Sequence, residues 1–280
     1  MAVADQRNSD PGDSMNWGEA LILGILQGLT EFIPVSSSGH LELGGAFFGL
    51  EDPESFFTFN ILVHGATFLS VIVVFFKDIR HLLASAFALR WNADTRFLAL
   101  LLISAVPVGI VGLLFEKHIE PLFQGRVALI GAMLLVTSLL LFLTRIAPSG
   151  DKDITLKSAV IIGLAQVAAI LPGVSRSGTT ISTALYLGVA RATAVRFSFL
   201  MALLPIFGAN VMKIISLSND TEAANTVGLA SLVVGTVAAF LAGLFACRWM
   251  LEIVQKGDIS YFSAYCFLAG LAAIGYGVLG

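Results

Sequence analysis

The chain has 280 residues, of which 57% are hydrophobic and only 12% charged, and its mean hydropathy is +0.89. Soluble domains carry about a quarter charged residues, so this composition excludes an ordinary soluble protein and places the chain in a membrane. A formal net charge of −3 is too small to imply nucleic acid or any strongly charged partner.

Residues 1–16 (MAVADQRNSDPGDSMN) are polar and lack the basic and apolar regions of a secretory signal. They read as a disordered extension, with Met15 as an alternative start. Beyond them, six stretches are apolar and long enough to cross a bilayer: 57–76, 97–115, 127–143, 197–217, 227–246 and 259–278. Two further apolar stretches are broken near the middle. The first, 17–50, is interrupted by Pro34-Val35-Ser36-Ser37-Ser38-Gly39-His40. The second, 158–189, is interrupted by Pro172-Gly173-Val174-Ser175-Arg176-Ser177-Gly178. Each flank is too short to span, and proline and glycine stop a helix. Irregular backbone at membrane depth must be buried in protein or line a polar cavity. The expected fold is therefore all-α and integral to the membrane: six transmembrane helices plus two re-entrant helical hairpins. Two kinked full spans are the alternative. The only two cysteines, Cys247 and Cys266, read as packed, reduced thiols.

Loop charge sets the orientation. One face receives Lys77, Arg80, Arg90, Arg96, Arg145, Lys152, Lys157, Arg191, Arg196, Arg248 and Lys256. The other receives only Arg7, Lys117 and Arg126, with the acidic runs Glu51-Asp52-Pro53-Glu54 and Asn219-Asp220-Thr221-Glu222. The basic face is cytoplasmic by the positive-inside rule, which places both termini outside. Trp17, Trp91 and Trp249 lie near span ends as interfacial anchors, and Lys213 can snorkel.

The sequence also repeats. A shift of 139 residues superposes Ala20, Ile22, Gly24, Gln27, Val35, Ser36, Ser38, Gly39 and Gly49 on identical residues at Ala159, Ile161, Gly163, Gln166, Val174, Ser175, Ser177, Gly178 and Gly188. Each unit, 17–146 and 147–280, is a hairpin followed by three spans. Because three is odd, the second unit is expected upside down, an inverted-topology repeat whose hairpins meet near the midplane.

The interruptions hold the chemistry. Gln27 and Glu31, four residues apart, share a helical face. A carboxylate this deep is costly unless it is paired or lines a cavity. Ser36, Ser37, Ser38 and His40 follow. The second interruption offers Ser175, Arg176, Ser177, Thr179 and Thr180. A serine before each half-helix can cap it, and the helix N-termini then form an anion pocket. Arg176 adds a fork that matches phosphate oxygens. His64 and Asn60, in the first full span, read as hydrogen-bonded structure.

These two segments, Gln27-Gly28-Leu29-Thr30-Glu31-Phe32-Ile33-Pro34-Val35-Ser36-Ser37-Ser38-Gly39-His40 and Pro172-Gly173-Val174-Ser175-Arg176-Ser177-Gly178-Thr179-Thr180, resemble the two signature motifs of the bacterial undecaprenyl pyrophosphate phosphatase family, the bacitracin-resistance type. The resemblance runs from about residue 17 to the end. It implies removal of the terminal phosphate of undecaprenyl pyrophosphate, which recycles the carrier lipid for cell-wall polymers. It also implies dependence on a divalent cation, Mg2+ or Ca2+, and a bacterial inner-membrane site open to the periplasm; homodimerisation is left open. The family's acidic motif falls on Gln27 and Glu31, its histidine on His40 and its serine on Ser37. Many members carry Glu where this chain has Gln27, which leaves Glu31 as the main anionic ligand of the cation.

The expected division of labour follows. Arg176, Ser36, Ser38, Ser175, Ser177 and Thr180 hold the pyrophosphate. Glu31 and Gln27 bind the cation, and His40 serves as general acid or base. Ser37 is the candidate nucleophile, activated by His40, with direct attack by water as the alternative. Inverted repeats with broken helices are also a transporter architecture, so a lipid-phosphate flippase or an anion carrier is the competing function.

Overall fold

The computed structural model describes residues 15–50, 53–89, 91–119, 126–148, 150–218 and 228–279. Residues 1–14, Glu51, Asp52, Arg90 and the acidic run at 219–222 lie outside the described residues, as do the side chains of Lys117 and Lys213. Among the described residues there is no strand, only an isolated bridge between Lys152 and Val189.

Among the described residues, six helices are long and apolar enough to cross a bilayer. They are α3 (Pro53–Val74), α5 (Ala93–Ile119), α6 (Val127–Leu143, continued by a 3-10 turn at Thr144–Ile146), α9 (Arg191–Ser218), α10 (Leu229–Lys256) and α11 (Tyr261–Leu279). They fall on the six expected stretches. The two broken stretches form helix pairs: α1 (Trp17–Phe32) with α2 (Ser37–Phe48), and α7 (Leu156–Ala168) with α8 (Arg176–Tyr186). The longest of these four has 16 residues, or ~24 Å, short of the ~30 Å hydrocarbon core.

Two expectations change. The stretch 77–96, expected as a loop, contains the amphipathic helix α4 (Phe76–Phe87), with Leu82 buried. Likewise α10 continues past Ala246 to Lys256 through the basic segment. A search for continuous apolar runs misses helical turns whose charged residues face outward. At the N-terminus, Met15 and Asn16 belong to the folded unit. The Asn16 side chain accepts from the N–H groups of Gly18 and Glu19, and Glu19 returns a bond to the Asn16 N–H. Met15 is buried, and its carbonyl accepts from Ser231 Oγ at 2.9 Å.

Small residues set the helix packing, as expected where lipid supplies no hydrophobic drive between helices. A Cβ on Gly28 of α1 would stand 2.6 Å from the Ala239 carbonyl of α10. On the α6–α11 contact the relation is reciprocal: a Cβ on Gly131 would lie 2.7 Å from Gly270 O, and one on Gly270 would lie 2.8 Å from Gly131 O. Between α3 and α9, Phe68 stacks on Phe207 with centroids 5.9 Å apart. Both pairs are separated by the 139-residue shift of the sequence repeat. The helix contacts mirror each other too: α1 packs on α10 as α7 packs on α5, and α3 meets α10 as α9 meets α5. The main core joins Phe32, Phe75, Phe197, Phe199, Met201 and Met250. Outward faces of the spans stay apolar, as at Leu113, Leu114, Leu139, Leu241 and Leu268.

Candidate active site

The two interruptions lie against each other. A Cβ on Gly39 would stand 3.2 Å from Gly173 Cα, and one on Gly178 would stand 3.3 Å from Pro34 Cβ. These two approaches are again related by the repeat shift.

Local sequence explains each break. Ile33, ahead of Pro34, takes the extended conformation that a following proline favours, and α1 ends. Ser36 has φ 71, a left-handed value that a serine adopts only when its surroundings enforce it. Its Oγ accepts from the Gly39 N–H and so caps α2. In the second break Gly173 has φ 96, and a Cβ there would stand 2.5 Å from the Ile130 carbonyl. Thr137 of α6 pins this backbone, donating to the Gly173 carbonyl at 2.9 Å and accepting from the Ser175 N–H at 2.9 Å. Ser175 Oγ accepts from the Gly178 N–H at 3.1 Å and caps α8.

At the junction Glu31, buried in the last turn of α1, meets residues of both motifs. Its Oε1 pairs with Arg176 Nη2 at the start of α8. Its Oε2 accepts from Ser37 Oγ at 2.6 Å and from Gln27 Nε2 at 3.0 Å. Gln27 Oε1 is buried with no hydrogen-bond partner. An orphaned carbonyl oxygen beside a carboxylate is a donor set that suits a hard divalent cation. Glu31 and Gln27 therefore fit the expected cation, although among the described residues no three His, Cys, Asp or Glu side chains converge.

The remaining residues are placed as follows. His40 does not meet Ser37. Its Nδ1 lies 2.8 Å from the Ser36 carbonyl, so Nδ1–H donates there, and Nε2 accepts from Tyr265 Oη at 2.7 Å. The two rings also stack. The hydroxyl partner expected of His40 is held by Glu31 instead, because Ser37 opens α2 on the side facing the end of α1. Ser38 is half-buried in the same turn and bonds to none of these groups. Ser177 Oγ is 3.3 Å from Ser175 Oγ. Thr180 Oγ1 donates to the Arg176 carbonyl at 2.9 Å and bonds Ser198, tying α8 to α9. Sequence reasoning passed over Tyr265, Thr137 and Ser198, each far from both motifs with no local signal. It assigned His64 to structure, yet His64 Nε2 faces Glu31 Oε2 at 4.0 Å. A separate cavity of about 330 Å³, lined by residues including Phe75, Arg196 and Gln255, contains none of these groups.

Residues 20–272 match the family model described as bacitracin resistance protein BacA. The chain belongs to this family. Among curated relatives, the undecaprenyl-diphosphatase of Christiangramia forsetii is 48% identical over 257 residues, covering 91% of this chain and 96% of that one. That of Parabacteroides distasonis is 46% identical over 261 residues, 93% and 98% of the two chains. Undecaprenyl-diphosphatase 1 of Bacillus licheniformis is 38% identical over 266 residues, 91% and 96%. With six apolar helices of spanning length, this BacA-family chain is a multi-pass membrane protein.

Proposed function

We propose that this protein is an undecaprenyl-diphosphatase, which removes the terminal phosphate of undecaprenyl diphosphate and returns undecaprenyl phosphate to cell-wall synthesis. The observation that carries this reading is the junction of the two motifs: Arg176 from one and Ser37 from the other meet on the same buried carboxylate, Glu31. The printed names of the relatives agree with it.

The helix pairs α1/α2 and α7/α8 are re-entrant hairpins in two inverted units, 17–146 and 147–280. The facing pairs Gly131/Gly270 and Phe68/Phe207 support this, since residues one repeat apart touch only beside a two-fold axis. The excess of Lys and Arg on one face supports the orientation in the bacterial cytoplasmic membrane, and the family resemblance implies a site that opens to the periplasm.

In the reaction, Arg176 and the N-terminal dipoles of α2 and α8 hold the diphosphate and stabilise charge on the transferred phosphoryl group. Ser177 lies in the first turn of α8 and adds a hydroxyl, while Ser36 and Ser175 shape the pocket as caps. Glu31 takes the proton from Ser37 Oγ, which attacks the terminal phosphorus; the bond to the bridging oxygen breaks and undecaprenyl phosphate leaves. As water attacks the phosphoserine, Glu31 passes the first proton to the departing Ser37 Oγ and takes one from the water; that proton leaves with the released phosphate and resets the carboxylate. Glu31 and Gln27 would hold Mg2+ or Ca2+, which supplies charge neutralisation at the phosphate oxygens. His40, bonded to Tyr265, anchors the first turn of α2 beside the nucleophile.

Phosphate release from undecaprenyl diphosphate by the purified, detergent-solubilised protein tests the proposal. A flippase has no membrane to work across there, so absence of release with Mg2+ or Ca2+ present would refute the phosphatase reading.

A further inference from the structure

The cavity beside Arg196 has no part in the reaction above. We propose that it takes the phosphate of an anionic phospholipid from the leaflet on the basic face, with α4 lying in that leaflet beside it. The proposal does not depend on the phosphatase reading. The cavity lies where α3 turns into α4 at Phe75, and its other walls are the start of α9 (Ala192, Thr193, Arg196) and the end of α10 (Leu251, Gln255). Its volume of about 330 Å³ falls within the roughly 300–1,000 Å³ of small-molecule sites. Helix α4 sets its depth. With 12 residues, or ~18 Å, α4 is too short to cross the ~30 Å hydrocarbon core. At about 100° per residue, Phe76, Leu83 and Phe87 point within about 20° of one direction. All three are exposed, whereas Leu82 faces the protein and is buried. Lys77 and Arg80 are exposed beside the stripe. An apolar stripe flanked by cations on a short surface helix is the pattern of a helix lying in the interface plane, its stripe among the acyl chains and its cations among the headgroups.

The cavity's own chemistry favours an anion. Arg196 Nη2 pairs with Asp78 Oδ1 at 2.7 Å, which ties α9 to α4. The guanidinium carbon lies 4.9 Å from the centroid of the Phe97 ring, so the group is held in one orientation. Asp78 engages one nitrogen only, and Arg196 Nε is buried with no acceptor. Buried donors normally find one. The side chain is still 41% exposed, so a ligand can reach the guanidinium. A phosphate offers oxygens to the donors that Asp78 leaves, and further oxygens to the Thr193 hydroxyl and the Gln255 amide. The surrounding charge selects for net negative headgroups over zwitterionic ones. Here α4, the start of α9 and the end of α10 carry Lys77, Arg80, Arg191, Arg196, Arg248 and Lys256 against two acids, Asp78 and Glu252.

The test places the purified full-length protein in phosphatidylcholine nanodiscs that hold a small share of phosphatidylglycerol with a photoreactive headgroup. We expect crosslinks in the wild type within residues 75–80, 192–196 and 251–255, suppressed by unlabelled phosphatidylglycerol and not by inorganic phosphate. Phosphatidylglycerol affinity, read by native mass spectrometry, falls about tenfold or more in Arg196→Gln, as for the loss of one bond to a charged group. The double variant Asp78→Asn/Arg196→Gln leaves no unpaired charge and shows the same loss, which separates lost binding from misfolding. Arg176→Gln, at the other site, leaves the crosslinks in place. Crosslinks confined to the Glu31–Arg176 junction, or spread over the outward faces of the spans, overturn the proposal, as does equal competition by phosphatidylcholine. Suppression by inorganic phosphate overturns the lipid as the source of the anion. A disulfide between two chains of Phe87→Cys in place of lipid crosslinks overturns it too, because the α4 stripe then seats a second copy.

Discussion

Replacing Arg176 by lysine keeps the charge and removes the fork. The Arg176 side chain is only 20% exposed, and one of its N–H groups engages Glu31, so solvent screens its bonds little. Of the five guanidinium donors, the remaining four stay in one plane and can meet two phosphate oxygens while Glu31 is held. A lysine ammonium is a point donor that cannot serve both in fixed geometry. A hydrogen bond between charged groups contributes about 1.5–3 kcal/mol. At about 1.4 kcal/mol per factor of ten, losing one such bond in the transition state lowers kcat/KM by roughly 10- to 150-fold. Released phosphate, measured against undecaprenyl diphosphate concentration in detergent, gives kcat and KM separately. A fall mainly in kcat places the lost bond in the transition state, and a rise in KM alone places it in substrate binding. Turnover within about threefold of wild type would refute the argument, because Arg176 would then be a counter-charge for Glu31 and nothing more.

Ser37→Ala removes the proposed nucleophile and should cost several orders of magnitude in turnover, with lipid diphosphate still bound; rapid quench with labelled substrate should find phosphate on Ser37 in the wild type, and a few per cent of activity remaining in the variant would favour attack by water. Gly173→Ala should destabilise the protein by about 1–3 kcal/mol, since alanine resists φ > 0 and the Ile130 carbonyl blocks its Cβ. Gly109→Ala, where a Cβ meets nothing within 4 Å, is the neutral control in the same thermal melt. A truncation that begins at Met15 should keep folding and turnover, because Met15 and Asn16 are the first residues with contacts in the described fold; loss of either in a size-exclusion and phosphate-release assay would assign a role to residues 1–14.

The elements were legible in the sequence where one physical rule dominated. Hydrophobic length marked all six spans, and Pro34 and Pro172 marked the two breaks. The helix α4 was hidden because Lys77, Asp78, Arg80 and His81 interrupt its apolar run, although its periodicity is helical. At the site, Glu31, Ser37 and Arg176 were readable because a charge or a hydroxyl cluster in an apolar stretch needs a reason. The partner of Ser37 was not readable, since spacing along the chain favours His40 while the fold brings Glu31 across the Pro34 break to Oγ at 2.6 Å. Tyr265 lies 225 residues from His40, and no pattern within either motif could announce it.

The proposed frame is two-fold and the chemistry is not, and the Glu31–Arg176 pair shows why both are needed. The repeat partner of Glu31 is Ile170 and that of Arg176 is Ser37, so neither unit contains both charges. Either charge alone in an apolar setting is costly, and breaking such a pair commonly costs about 3–5 kcal/mol. The pair therefore favours the packing in which both interruptions face each other, with Gly39 against Gly173 and Gly178 against Pro34. In the proposed reaction the diphosphate takes the guanidinium donors that Glu31 leaves open, while Glu31 keeps its pair with Arg176 and its bond to Ser37 Oγ. The negative charge of the bound phosphate offsets the pull of Arg176 on the carboxylate and so favours proton transfer from Ser37 to Glu31. The contact that assembles the site thus also couples substrate binding to the base.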